Sequence, residues 1–318
     1  MRTCRCLPGL ASAAVIGLGF AACTGAQNTI SPSASAALAS STSSGLRSMR
    51  HHRKSALFFV VNSSDNRIEV YDPNLSNPSP IAAITEGVVT PYGACLDKSG
   101  TLYVVNGVHN TIPEYRKGQS APYQVISKGL KNPAFCALDG AGNLWVTNTY
   151  GHNVTEYPKG STDPSAIVTN GVTYPIGIAF DRNDDMFVST RPGGSKNKVQ
   201  VFPRGATSPS MTITDGITEP AGIAVDGQGT LYVANLGYNT IPEYKAGDYS
   251  PYQTITTGVD YPVALTVDKK GTLFVSNFLS NDIGEYAPGS ITPSGNSISQ
   301  SLDSPEGTAY SPPLLPKR

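Results

Sequence analysis

The sequence predicts an all-β fold, a six-bladed β-propeller of four-stranded antiparallel blades spanning residues 55–311. Three observations carry that expectation. An internal repeat of a little over forty residues runs through this stretch with no helical period inside it, the signature of stacked or ring-forming strand units. Gly (32), Pro (25) and Tyr (16) are abundant while charged residues are only 14%, a mix suited to short strands and tight turns. The two ends of the repeat region carry complementary half-units.

Each unit opens on a proline. Pro91-Tyr-Gly-Ala-Cys-Leu-Asp97 is echoed at Pro133–Asp139, Pro175–Asp181, Pro220–Asp226 and Pro262–Asp268, with successive prolines 42, 42, 45 and 42 residues apart and Pro305 43 further on. The small alternating residues of this segment suit a crowded innermost strand near a central axis. Asp97-Lys-Ser-Gly100 and its counterparts are turn sequences, with Asp capping and Gly accepting tight backbone angles. A second strand follows, of the type Leu102-Tyr-Val-Val-Asn106 or Leu231-Tyr-Val-Ala-Asn235, then a third of the type Asn110-Thr-Ile-Pro-Glu-Tyr115 and a shorter fourth near Tyr123–Ile126. Asn110–Tyr115 recurs verbatim at Asn239–Tyr244, three units later, as a duplicated half would leave it.

The blade count follows from the ends. Leu57-Phe-Phe-Val-Val-Asn62 is a second strand with no first strand before it, and Pro305-Glu-Gly-Thr-Ala-Tyr310 is a first strand with no second after it. The C-terminal strand is therefore expected to complete the first blade and close the ring at six.

Upstream of the repeats the chain reads as an export device. Arg2 and Arg5 precede an apolar run from Leu10 to Ala22, too short for a permanent span and right for a signal segment over residues 1–22. Its end, Phe20-Ala-Ala-Cys23, resembles a bacterial lipoprotein box, with Phe20 where Leu is usual; the resemblance implies lipidation of Cys23 and a membrane anchor in the cell envelope, in the outer membrane where there are two. Ordinary cleavage near Ala21 or Ala26 is the alternative. Residues 23–54 form a Ser/Ala-rich tether with a basic end, Arg47 to Lys54, which could touch anionic headgroups or simply be solvated. Residues 312–318 are a tail.

Every one of the 23 acidic residues lies between Asp65 and Glu306, and eight of the 23 basic ones lie outside the repeats, so the repeat region carries a net charge of −8. Such a domain repels a phosphate backbone, which argues against nucleic acid as a partner. A monomer is expected. Cys95 and Cys136 sit on neighbouring innermost strands one repeat position apart, so their side chains are expected to point to opposite faces and to remain two buried free thiols.

The unit Pro-x-Gly-Ile-Ala-x-Asp-x-x-Gly-x-Leu-Tyr-Val-Ala-Asn, most complete at Pro220–Asn235, resembles an NHL-type repeat over residues 57–310; the Trp-Asp pair of WD40 blades is absent, and Gly-His does not recur from unit to unit. The resemblance implies architecture and leaves function open, since related propellers include binding scaffolds, lyases and metal-dependent lactonases. Gluconolactonase-type propellers hold a cation at one mouth. The position after each repeat proline here reads Tyr92, Ala134, Ile176, Ala221, Val263 and Glu306, which offers one carboxylate, too few for a hard cation and expected to be a solvated glutamate at the ring closure. Virginiamycin B lyase-like propellers use a histidine, for which His109 and His152 are candidates in adjacent blades with no third ligand fixed by spacing. No metal and no cofactor is therefore expected.

Both histidines belong to the loops between second and third strands, on the same face as Tyr92 and Glu306. That face also gathers Tyr150, Tyr174, Arg191, Lys196, Tyr238, Tyr261 and Phe278, and the unit that departs most from the repeat is the fourth, lengthened by Arg191–Lys196. The expected ligand-binding residues are Tyr92, His109, Tyr150, His152, Arg191, Tyr238 and Glu306, facing a protein, peptide or glycan. The leading expectation is an exported, membrane-tethered, non-enzymatic binding scaffold. The alternative is a metal-dependent hydrolase or lyase of the gluconolactonase or virginiamycin B lyase type.

Overall fold

The computed structural model describes residues 56–312. The expected signal segment, Cys23, the tether with its basic end, and residues 313–318 lie outside the described residues. Among those described, twenty-four strands, β1 (Leu57–Asn62) to β24 (Pro305–Ser311), form six four-stranded sheets. Five blades are consecutive in sequence and open on β4 (Pro91–Leu96), β8 (Pro133–Leu138), β12 (Pro175–Phe180), β16 (Pro220–Val225) and β20 (Pro262–Val267). We number them II to VI. Blade I is composite: β24 pairs with β1, which pairs with β2 (Arg67–Tyr71) and then β3 (Ala82–Ile84). The ring closure and the six-blade count expected from the half-units are both present.

Alternation along the strands explains the core. In β1, Phe59 and Val61 pack with Ala94, Leu96 and Val104 of blade II, whereas Phe58 and Val60 pack with Phe274, Ile283 and Ile298 of blade VI. Successive side chains of one strand thus serve two interfaces, which is why all six residues of β1 are buried. Six apolar clusters fill the six gaps between neighbouring blades. The recurrent third-strand tyrosines stitch these layers: Tyr71, Tyr115, Tyr157, Tyr244 and Tyr286 each donate a hydrogen bond to a backbone carbonyl 29 residues earlier in the chain or, for Tyr71, across the closure to Gln300. Their recurrence in the sequence therefore serves folding.

The cysteines correct the sequence reading. Cys95 and Cys136 form a disulfide, with their Cα atoms 5.8 Å apart. The one-position offset is real: Cys95 pairs with Tyr103 in its blade, and Cys136 pairs with Val146 in the next, one rung away from the equivalent place. The two side chains do leave opposite faces of their own sheets. In a ring, however, one face of a blade packs on the opposite face of its neighbour, so those two directions meet. Both cysteines sit in the cluster between blades II and III. The bond closes 41 residues of chain, a loop whose cross-linking is worth about 4 kcal/mol on the chain-entropy account. Cys136→Ala is expected to lower stability by about 2–4 kcal/mol in denaturant melts under oxidising conditions. Equal midpoints for wild type and variant without reductant would refute this.

Candidate functional site

The loops from second to third strand and those entering each first strand share one face, as up-and-down blades require. A left-handed residue organises the second-to-third-strand loop in five of the six blades, blade IV being the exception, where Asn197 has φ −66°. Asn66, Asn110, Asn239 and Asn281 hold φ near +54° (53, 54, 53 and 55), a region that asparagine tolerates. Their Oδ1 atoms accept from the backbone N–H of Thr90, Asn132, Tyr261 and Ser304, the residue before the next repeat proline.

His152 occupies the same position in blade III, at φ 52°. Its Nδ1 accepts from the N–H of Tyr174 at 3.2 Å, and its ring stands edge-on to Tyr174 with centroids 4.3 Å apart. The imidazole replaces an asparagine as an inter-blade clamp, with the Nε2–H tautomer fixed by that acceptor role. His109 lies one position earlier in its own loop and pairs its Nδ1 with Thr90 Oγ1 at 3.1 Å. The two histidines thus hold non-equivalent loop positions, each engaged with a separate segment. Among the described residues no three His, Cys, Asp or Glu side chains gather as a metal site.

The centre of this face is closed. Tyr92, Ala134, Ile176, Ala221 and Glu306, all directly after repeat prolines, are buried. The Tyr92 ring packs against Gly107, where an added Cβ would fall 2.1 Å from it, so only glycine admits that approach. Burial first, then Glu306 and Tyr150, push the Tyr92 phenol up to about 12.

Glu306 departs from the expected solvated glutamate: it is 4% exposed. It opens the strand that closes the ring, and that strand is packed between β20 and β4. Burial pushes its carboxyl up to about 8, offset in part by a hydrogen bond from Ser63, so it is largely protonated at neutral pH. Arg191 is half-buried on the same face, in blade IV; its guanidinium pKa is lowered by burial, against the pull of Glu219 and then Tyr261.

Around this closed centre the loop tips are exposed and apolar. Tyr150 and Tyr238 are 41% and 60% exposed, and Val108 and Leu279 55% and 60%. Tyr150 also meets Tyr174 edge-on at 6.4 Å. Blade IV departs from its neighbours as expected, its loop carrying a short 3-10 turn over Gly194–Lys196, and blade V carries another over Leu236–Tyr238. The sequence reading singled out the two tyrosines and missed Val108 and Leu279. Those two stand at the Tyr150 position of the loop in blades II and VI, so aligning loop tips as well as strands would have found them.

No family model and no curated protein sequence matches the chain. Among solved structures, a chain of the crystal structure of a nidogen/laminin complex superposes with a TM-score of 0.69 at 15% identity, covering 80% of this chain and 98% of that one. A streptogramin B lyase structure superposes with a TM-score of 0.50 at 17% identity, covering 63% and 69%. At these identities the likeness is one of fold, and it agrees with the strand order in making this chain a six-bladed β-propeller.

Proposed function

We propose that the chain is an exported, membrane-tethered, NHL-like propeller that acts as a non-enzymatic scaffold and binds a protein, peptide or glycan through its loop face. One observation carries this reading: four large apolar side chains, Val108, Tyr150, Tyr238 and Leu279, are held exposed at loop tips around a closed centre. Exposed aromatic anchors on rigid, strand-supported loops are the usual origin of binding hot spots. The Cys95–Cys136 disulfide supports export, because such bonds persist in oxidising compartments, and Cys23 supplies the anchor.

A photo-crosslinking residue placed at Tyr238 in the native host is expected to give a discrete adduct in the membrane fraction. The same probe at Lys245, at the far end of the following strand, is expected to give none. Combining Val108→Ala, Tyr150→Ala and Leu279→Ala with that probe should remove the adduct, and an adduct indifferent to these changes would refute the reading. Cys23→Ser should move the protein to the soluble fraction.

A second reading, a lyase or hydrolase, rests on Glu306 alone. A carboxyl kept protonated near neutrality is suited to general-acid work. Its test is turnover of lactone and ester substrates that is lost in Glu306→Gln.

A further inference from the structure

The opposite mouth of the propeller differs in every respect from the loop face. A cavity of about 150 Å³ occupies the axis, bounded by the third to sixth residues of the first strands, from Phe135, Gly177 and Gly222 down to Leu96, Phe180 and Val267. No residue directly after a repeat proline lines it, and five of those six are buried, so the cavity lies on the side of the Asp-x-x-Gly turns.

Its inner end is shaped by a break in the repeat. The third position of the first strands is Gly93, Gly177, Gly222, Ala264 and Gly307 in five blades, and Phe135 in blade III. The small residues are forced by close approach: a Cβ at Gly93, Gly177, Gly222 or Gly307 would fall 2.5–2.7 Å from a neighbouring strand's carbonyl oxygen. Phe135 packs against the cluster containing Ile176 and Ala221, one and two blades round the ring, and lines the pit. The rest of the wall consists of aliphatic side chains, the rings of Phe180 and Tyr310, the disulfide and the hydroxyls of Thr266 and Thr308, which lie 2.7 Å from each other. Each first strand is an edge strand, so backbone polar groups also face the axis.

Cations rim the opening. Lys98, Arg182 and Lys269 stand two residues beyond the pit-lining Leu96, Phe180 and Val267, at the same turn position in alternate blades, and all three are exposed. The intervening blades have Gly140 and Gly227 there. Lys98 Nζ donates to the Gly140 carbonyl at 3.3 Å, and Arg182 lies over Gly227, where an added Cβ would meet Nη2 at 2.5 Å. The aspartates beside them face inward: Asp97, Asp226 and Asp268 are buried, and with the half-buried Asp139 and Asp181 they turn Oδ1 onto backbone N–H groups of their own turns. Asp184 and Asp185 of the blade IV turn likewise accept from backbone N–H groups, those of Gly140 and Arg204, so the solvent-exposed charged side chains at this rim are the cations, in a domain that is −8 as a whole.

We propose that this pit is a binding site for a small aromatic carboxylate, with its ring against Phe135 and Phe180 and its carboxylate at the rim formed by Lys98, Arg182 and Lys269. A cavity of about 150 Å³ admits one benzene-sized ring, and an apolar pocket with a few convergent polar groups is the usual form of a small-molecule site. This site is separate from the loop face and independent of its role.

The chain contains a reporter. Trp145, the single tryptophan, pairs with Ala137 of the pit wall, and its ring lies 5.9 Å from that of Phe180. Sodium benzoate titrated into the full chain should change its fluorescence saturably, with a Kd below about 1 mM, and benzyl alcohol should bind at least about tenfold more weakly. Lys98→Gln, Arg182→Gln and Lys269→Gln combined should cost at least about tenfold; these side chains are exposed, so an unchanged melting curve separates lost binding from lost folding. Ala179→Phe, which fills the pit, should abolish the signal, and calorimetry should agree. Tyr150→Ala with Tyr238→Ala should leave benzoate binding unchanged, so failure of either site is read independently of the other. No saturable signal, or binding indifferent to both the rim and the pit-filling variants, would overturn the proposal.

Discussion

A chain ending at Ser304 is expected not to fold. The lost strand, β24, pairs with β1 over Leu57–Asn62 and supplies the rung that makes blade I four-stranded. It also makes the contacts that turn five whole blades and a three-stranded one into a ring. Ser276 Oγ donates to the Pro305 carbonyl, Thr266 Oγ1 donates to the Thr308 carbonyl, and Gly307 fits where an added Cβ would fall 2.6 Å from the Tyr92 carbonyl oxygen. Tyr310 stacks on Phe274 with centroids 5.5 Å apart. Removing the strand uncovers the clusters on both sides of blade I at once. Lost backbone pairs at about 1 kcal/mol each and uncovered apolar area at about 25 cal/mol per Å² together approach the 5–15 kcal/mol of total stability usual for a domain. The expected observation is an insoluble product, or one without a cooperative thermal transition. A chain ending at Pro312 should melt like the full chain. A cooperative melt from the Ser304 truncation, within a few degrees of wild type, would show that the ring does not depend on this closure.

Architecture was legible in the sequence because every blade repeats the same local physics. Proline opens an innermost strand, Asp and Gly set its turn, and alternating apolar residues fill both of its interfaces. What escaped the sequence reading depends on how one blade sits against the next. For Cys95 and Cys136, each side chain's direction within its own sheet was read correctly, but the ring's face-to-opposite-face packing turns divergence into contact. His152 looked like a candidate ligand because histidine is chemically versatile; its place in the alignment, under Asn110 and Asn239, already pointed to a clamp. Phe135 was visible as the one bulky residue in a column of glycine and alanine, and its meaning required knowing that the column lines the axis. Glu306 stood out as the one carboxylate in a mostly apolar ring of positions, yet nothing local to Pro305-Glu-Gly307 says that the loops above it shut out water.

That burial makes Glu306→Gln a stabilising change that depends on pH. In the folded chain the carboxyl titrates near pH 8, raised by burial, and in the unfolded chain near the ordinary value of about 4.5. Between those two values the folded state holds a proton that the unfolded state has released, so stability falls as pH rises through this window. The full drop is the interval between the two values at about 1.4 kcal/mol per pH unit, on the order of 5 kcal/mol above pH 8. Glutamine mimics the protonated acid and keeps an acceptor for the Ser63 hydroxyl, without the ionisation. The variant should therefore match wild type near pH 5 and exceed it progressively, melting well above it at pH 9. Glu114 and Glu243 are raised by the same kind of burial, relieved by hydrogen bonds from Tyr123 and Tyr252 and from Gln124 and Gln253. They give both proteins a shared slope, and the difference between the two curves isolates Glu306. A difference independent of pH would mean that the side chain is ionised or solvated in the fold. A stabilised variant that binds its loop-face partner as tightly as wild type would assign Glu306 to the closure alone. If it binds more weakly, the acid has been kept, at a cost to stability, for what that face does.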